Sequence, residues 1–143
     1  VPEFGLVFYN FPGHTLEQFA RFAGAAGFTR AEIPVRYLWN EQDRSDYAEA
    51  RATEVGELLR QHGLRPSAVS AGNDFLQPDD AALEAQLQRL RRVCRLARLA
   101  GTDVVRIDGG WTKPQVPPAQ WFPLIVRALS AMKGFVEAEG YTL

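Results

Sequence analysis

The chain has 143 residues, a formal net charge of −1 and a 46% hydrophobic content. That length supports one domain with a sizeable core, and that charge gives no pull toward nucleic acid or an anionic membrane. The one cysteine, Cys94, excludes an internal disulfide framework and a Cys-rich zinc site.

The opening stretch, VPEFGLVFYNF, lacks the basic start of a signal peptide and soon meets Pro12 and Gly13. No apolar run approaches the roughly 20 residues of a membrane helix, so a cytoplasmic protein with no membrane partner is expected. The only methionine is Met132, which implies a start that is processed or cut from a longer chain.

In chain order, a short apolar strand, a polar loop, an amphipathic helix and a glycine recur. FGLVFYN reads as the first strand. Thr15 and Gln18 then have capping-box spacing, and Leu16, Phe19, Ala20 and Ala23 share a helical face that ends at Gly27. RAEIPV is the second strand. Its helix starts near Asp46, with Glu49 three residues on, buries Ala48, Ala52, Val55 and Leu59, and ends at Gly63. RPSAVS is the third strand, and the helix after QPDD carries Leu83, Leu87, Leu90, Cys94 and Ala97 as far as Gly101. DVVRID is the fourth. Pro118 suits the first turn of the helix that follows, whose stripe is Phe122, Ile125, Leu129, Met132 and Val136. Gly140 ends that helix, and YTL begins a fifth strand.

Four strand–helix units in a row imply a parallel sheet, because parallel neighbours need a crossover and a helix supplies it. Two architectures fit: an open doubly wound sheet of about five strands, or part of a (β/α)8 barrel, which typically takes about 250 residues. Charges inside the strands favour the barrel. Arg106 and Asp108 fall on one face of strand four, opposite Val105 and Ile107, and Glu32 faces away from Ala31 and Ile33. A sheet covered on both faces wants strands apolar throughout, whereas a barrel interior tolerates charges near the strands' C-terminal ends. The expected fold is therefore α/β: four parallel β/α units plus the start of strand five, forming the N-terminal half of a TIM barrel, with residues 1–143 as one partial domain.

Both architectures place function on the loops after the strands. Those loops are NFPGH, RYLWNEQD, AGNDFLQPDD and GGWTKPQVPP, rich in Asn, Asp, His, Trp and Tyr, while the returning connections GFTR, GLRP and GTD are short and plain. Glu32 and Arg106 sit inside otherwise apolar strands and must be paired. As residues of even-numbered strands they belong to one layer of a barrel interior and are expected to meet. They form either a substrate-binding pair that reaches a sugar hydroxyl or carboxylate, or an ion pair that only organises the interior. His14 is a base, a ligand or a plain loop residue. Asp108, before Gly109 and Gly110, binds substrate or fixes a turn. Asn73 and Asp74 contact a polar substrate or make an Asx turn. Trp39 and Trp111 wall a sugar site or anchor loops. Arg91, Arg95 and Arg98, with Arg92 beside them, form a basic stripe that reads as a solvated outer helix face.

No G-x-G-x-x-G, G-x-x-x-x-G-K-[ST] or G-x-S-x-G motif is present, and no His/Asp/Glu cluster has metal-ligand spacing.

The runs AGAAGFTRAEIP, LLRQHGLRPSAVSAG and RLARLAGTDVVRIDGGW resemble the N-terminal half of the sugar phosphate isomerase/epimerase family, the xylose isomerase-like TIM barrels. That superfamily also holds the endonuclease IV type of DNA repair enzyme. The resemblance implies a metal-dependent sugar or sugar-phosphate isomerase or epimerase that moves a proton next to a carbonyl. It implies a divalent metal (Mn, Mg, Co or Zn) held by side chains on strands five to eight, the first a glutamate near the end of strand five. On this view the chain is a half-barrel without a metal site or turnover of its own. Glu32, Arg106 and His14 are then substrate-side residues. A metal-dependent hydrolase and a non-enzymatic open-sheet binding module are the alternatives. A half-barrel is also expected to leave YTL poorly supported and to uncover inner-face residues such as Leu6, Phe8 and Ala68. Its open edges would favour a homodimer.

Overall fold

The computed structural model describes residues 3–40, 42 and 44–143; Glu41 and Asp43 of the loop after the second strand lie outside the described residues. The elements run β1 (Gly5–Val7), α1 (Leu16–Ala25), β2 (Arg30–Pro34), α2 (Ser45–Gln61), β3 (Arg65–Ser70), α3 (Asp80–Ala100), β4 (Val105–Arg106) and α4 (Pro118–Glu139). The strands form one parallel sheet in the order β1-β2-β3-β4.

That order decides between the two architectures. Crossovers between parallel strands are right-handed, so a sheet whose order never reverses carries all its helices on one face. A doubly wound sheet reverses direction and covers both faces. Here the order runs straight through, so the other face is the interior of a barrel, and the open-sheet alternative is set aside. The register fixes which residues look each way. Leu6, Ala31 and Pro66 align, as do Ile33, Val69 and Val105; Val7, Glu32 and Ala68 align on the opposite face, as do Pro34, Ser70 and Arg106. An irregularity between Ala31 and Glu32 leaves Ser67 outside the β2–β3 pairing and brings Glu32 level with Ala68.

The core fills the space between the helices and the outer face of the sheet. Ala31, Ile33, Val69 and Val105 are buried there against Phe19, Val55 and Leu90. In α1 both capping-box bonds form: the Thr15 hydroxyl accepts from the Gln18 amide at 3.2 Å, and the Thr15 amide donates to Gln18 Oε1 at 2.9 Å. The stripes expected for α1, α2 and α3 are the ones buried. Within α3, burial pushes the Cys94 thiol up to about 11, so this side chain is an inert part of the core.

Helix packing is close where α2 meets α3. A Cβ on Gly56 would fall on the backbone carbonyl oxygen of Ala100, nearer than any real Cβ comes. Alanine normally gains about 1 kcal/mol over glycine inside a helix. Gly56→Ala is nevertheless expected to lower stability by about 2 kcal/mol, because neither backbone can yield cheaply. The urea midpoint measures this, and a stabilised variant would refute the close approach.

Several local expectations are corrected. Strand one ends at Val7, and Phe8–Asn10 form a 3₁₀ turn. The cause is tertiary: the Phe8 ring stacks on Phe19 of α1 at 4.7 Å, which pulls the chain out of the sheet. Phe8 is therefore a helix-side core residue, and Leu6 also packs against that core; only Ala68 of the three faces inward, and it too is buried. Helix α2 starts at Ser45 after an N-cap, Arg44, that makes no side-chain cap, so the Asp46–Glu49 box does not form. Helix α4 is rotated from its expected phase. Leu124, Ala128 and Met132 are buried, whereas Phe122 and Leu129 are exposed at 75% and 38%. Its first turns follow the loops instead, with Leu124 and Trp121 packing on Leu76 and Val116.

The segment YTL is well supported. The Thr142 carbonyl accepts from the Val105 amide at 2.9 Å, and its own amide donates to the Asp103 carbonyl at 3.0 Å, a parallel bridge to Val104. Tyr141 is buried, stacked on Phe135 and lying under the Arg98 guanidinium at 4.0 Å. In the basic stripe of α3, Arg95 and Arg98 are exposed, as on a solvated face, while Arg98 pairs with Asp103, Arg91 pairs with Glu84, and Arg92 lies over Trp39. Among the described residues no helix is long and apolar enough to cross a membrane.

Candidate functional site

The site is built on the inner face. Glu32 on β2 and Arg106 on β4 are separated by β3, yet Arg106 Nε donates to Glu32 Oε1 at 2.6 Å. The pair spans two strand spacings because β3 offers only small side chains on that face, Ala68 and Ser70. A large side chain at either position would stand in the way. Arg106 Nη1 also donates to Asp108 Oδ1 at 3.2 Å, and its guanidinium lies 5.9 Å from the centre of the Tyr9 ring. The bond to Glu32, opposed by partial burial, holds the guanidinium above its ordinary range. Glu32 is the more buried partner, with 14% side-chain exposure against 42% for Arg106, so the arginine is the end open to a ligand.

A cavity of about 290 Å³ opens at the C-terminal ends of the strands. Arg106 at the end of β4 and Asp108 just after it line the cavity, as do Ser70 at the end of β3 with Gly72 beyond it, and Pro34 at the end of β2 with Val35 and Arg36 beyond it. Tyr9 and Trp111, both more than half exposed, complete the wall. The arrangement suits a small polyhydroxylated ligand: charged and hydroxyl groups on the floor, aromatic faces at the sides.

Of the residues expected from sequence, Arg106, Asp108 and Trp111 come together here, with Glu32 bonded to Arg106 behind the lining. Asn73 does not face the cavity. It is fully buried, donates through Nδ2 to the Asp108 carbonyl at 2.7 Å, and accepts at Oδ1 from the Asp108 amide at 3.0 Å. Both ends of its amide are spent on fixing the backbone that carries Asp108. Trp39 is also outside the cavity. It is 8% exposed, between the guanidiniums of Arg89 at 5.6 Å and Arg92 at 4.5 Å, which makes it a loop anchor on α3. His14 is exposed, beside Phe11 and the Pro12 carbonyl, in a shallow groove along α1.

Asp74 is the centre of a second network. Its carboxylate pairs with Lys113 Nζ at 2.6 Å and accepts from the amides of Leu76 at 3.1 Å and Trp111 at 3.3 Å. The Asx-turn reading of Asp74 thus holds, and the turn reaches across to the next loop. Lys113 also donates to the Leu76 carbonyl at 2.9 Å. Asn73 and Asp74 together latch the loop after β3 to the loop after β4, and so position Asp108 and Trp111.

Sequence reasoning passed over Tyr9, Arg36, Ser70 and Lys113. Ser70 was within reach: the alternation that places Glu32 inward, carried along β3, puts Ser70 beside Arg106. Lys113 carries no such signal, because its partner is contributed by another loop. Among the described residues no three His, Cys, Asp or Glu side chains gather to hold a metal ion. Glu32 and Asp108 both bond the same guanidinium, so the donor set does not fit a divalent cation, whose place the arginine occupies.

Residues 19–143 match a family model described as xylose isomerase-like TIM barrel. No curated protein matches the chain. Among solved structures, the chain is similar to a D-psicose 3-epimerase crystallised with D-fructose, at TM-score 0.76 and 11% identity over 98% of this chain and 50% of that one. It is also similar to an L-ribulose 3-epimerase, at 0.72 and 21% over 100% and 48%. A third is a xylose isomerase domain protein from Alicyclobacillus acidocaldarius, at 0.69 and 16% over 97% and 47%. At these identities the likeness is one of fold. The chain spans about half the length of each of these structures.

Proposed function

The chain belongs to the xylose isomerase-like TIM barrel family, and from that premise we propose that it contributes the substrate-side half of a sugar or sugar-phosphate isomerase or epimerase. The observation that carries this reading is the Glu32–Arg106–Asp108 chain on the inner face, opening into a cavity walled by Tyr9 and Trp111. Aromatic faces receive the apolar C–H side of a sugar, and charged groups receive its hydroxyls.

In this reading Arg106 donates to a carbonyl or hydroxyl oxygen of the ligand, and Glu32 keeps the guanidinium in place and charged. Asp108 accepts from a ring or chain hydroxyl. The reaction is proton transfer at the carbon next to a carbonyl. A divalent metal would polarise the oxygens of such a substrate. The residues of this site do not fit one.

The binding part of the proposal is tested by titrating the protein with D-fructose and following backbone amide resonances. Saturable shifts are expected at Ser70, Gly72, Asp108 and Trp111. Glu32→Gln, which leaves the shape but removes the charge that orients Arg106, is expected to weaken binding about tenfold, the size of a lost charge-assisted hydrogen bond. Shifts confined to other surfaces would place the ligand elsewhere and end this assignment.

A further inference from the structure

Two cavity residues have no role in the Glu32–Arg106–Asp108 chain. Ser70 is 7% exposed, lines the cavity, and its hydroxyl makes no hydrogen bond with any described residue. It is not sealed in: its oxygen is absent from the buried orphans of the structure. Most of Ser70 is covered, and its hydroxyl oxygen reaches the cavity, where it can bond a ligand.

Arg36 supplies the second half of the observation. It follows β2 and lines the same cavity, and its guanidinium rests 5.0 Å from the centre of the Tyr37 ring. It forms no ion pair with any described residue. Arg106 is different, since two carboxylates, Glu32 and Asp108, already answer its charge. Among the described residues, therefore, the cavity holds one guanidinium answered by carboxylates and one that is not. An arginine presents a planar fork of donors that matches a carboxylate or phosphate.

We propose that Arg36 and Ser70 together read an anionic group, a carboxylate or a phosphate, at one end of the ligand, while Asp108 and Arg106 read hydroxyl or carbonyl oxygens at the other. This rests on the reading of the cavity as a sugar site and narrows the substrate to an acidic or phosphorylated sugar. The strand order supports the polarity. Arg36 follows β2 and Asp108 follows β4, with Ser70 at the end of β3 between them. Two spacings of about 4.8 Å separate β2 from β4, so Arg36 and Asp108 leave the sheet on opposite sides of β3. Asp108 would repel an anion placed at its own end, which fixes the direction of the ligand.

Amide shift titrations with D-fructose, D-fructose 6-phosphate, D-gluconate and inorganic phosphate test the proposal. At least one anionic sugar is expected to bind about tenfold or more tightly than D-fructose, with shifts at Ser70 and Gly72. Tighter D-fructose 6-phosphate identifies a phosphate, and tighter D-gluconate a carboxylate. Arg36→Gln is expected to abolish that preference, and Arg36→Lys to retain part of it. Arg36 is exposed, so neither substitution threatens folding; Ser70→Ala, a smaller buried change, is expected to reduce the same preference. If D-fructose binds as tightly as both anionic sugars, or if Arg36→Gln keeps the preference, the inference is overturned while the sugar site stands. If none of the four compounds shifts Ser70, Gly72 or Trp111, the sugar site itself falls and the inference with it.

Discussion

Asn73→Ala is expected to destabilise the protein by about 3 kcal/mol and to release the loop that carries Asp108. Asn73 is fully buried, and its side chain bonds both the amide and the carbonyl of Asp108. Alanine removes both partners at once. Each buried polar group left unpaired costs about 1–3 kcal/mol, and the emptied volume adds to that cost. Asn73→Asp keeps the acceptor for the Asp108 amide but turns a second carboxylate oxygen toward the Asp108 carbonyl, so no rescue is expected from it. Chemical denaturation gives the stability change, and amide exchange at Asp108 reports the loosened loop. A variant within about 0.5 kcal/mol of the parent would mean that the clamp contributes little and that Asp108 is held by Arg106 alone.

How legible this was from sequence follows from how far apart the interacting residues lie. The faces of α1, α2 and α3 depend on spacings of three and four residues, and those are written directly in the chain. The Glu32–Arg106 pair is separated by 74 residues and was still legible. Each is a charge in an apolar strand, and the alternation of a strand states which way it points. The Asn73 clamp was not legible, because an asparagine in a polar loop looks the same whether it faces a ligand or the next loop's backbone. Trp39 and His14 stay open in the sequence for a related reason: a loop residue has no periodicity to state its direction. In α4, apolar residues sit at both 121, 124, 128 and 122, 125, 129, so two phases are available. The choice was made by the loop residues Leu76 and Val116, which no local pattern mentions. Strand one was read too long because the Phe8–Phe19 contact belongs to the packing of α1, not to the strand's own sequence.

Gly110→Ala is expected to cost about 3–4 kcal/mol and to dismantle the second latch. Two independent terms add. Gly110 has φ +132°, a backbone conformation that side chains rarely adopt, and holding a non-glycine residue there costs on the order of 1–3 kcal/mol. A Cβ at this position would also lie 2.5 Å from Asp74 Oδ1, 2.9 Å from Leu76 Cγ and 3.0 Å from the Leu76 amide nitrogen. Two of those three atoms make the Asp74–Leu76 hydrogen bond, so relieving the overlap means moving the carboxylate. That carboxylate also holds Lys113 and the Trp111 amide. The effect therefore spreads from one missing hydrogen atom's worth of space to the aromatic wall of the cavity. A Gly110→Ala protein is expected to show a lowered denaturation midpoint and a displaced Trp111 indole resonance, while the Ser70 amide, which sits on β3 itself, changes little. The opposite pattern, with Ser70 disturbed and Trp111 unmoved, would show that the loop after β4 follows the strand instead of Asp74.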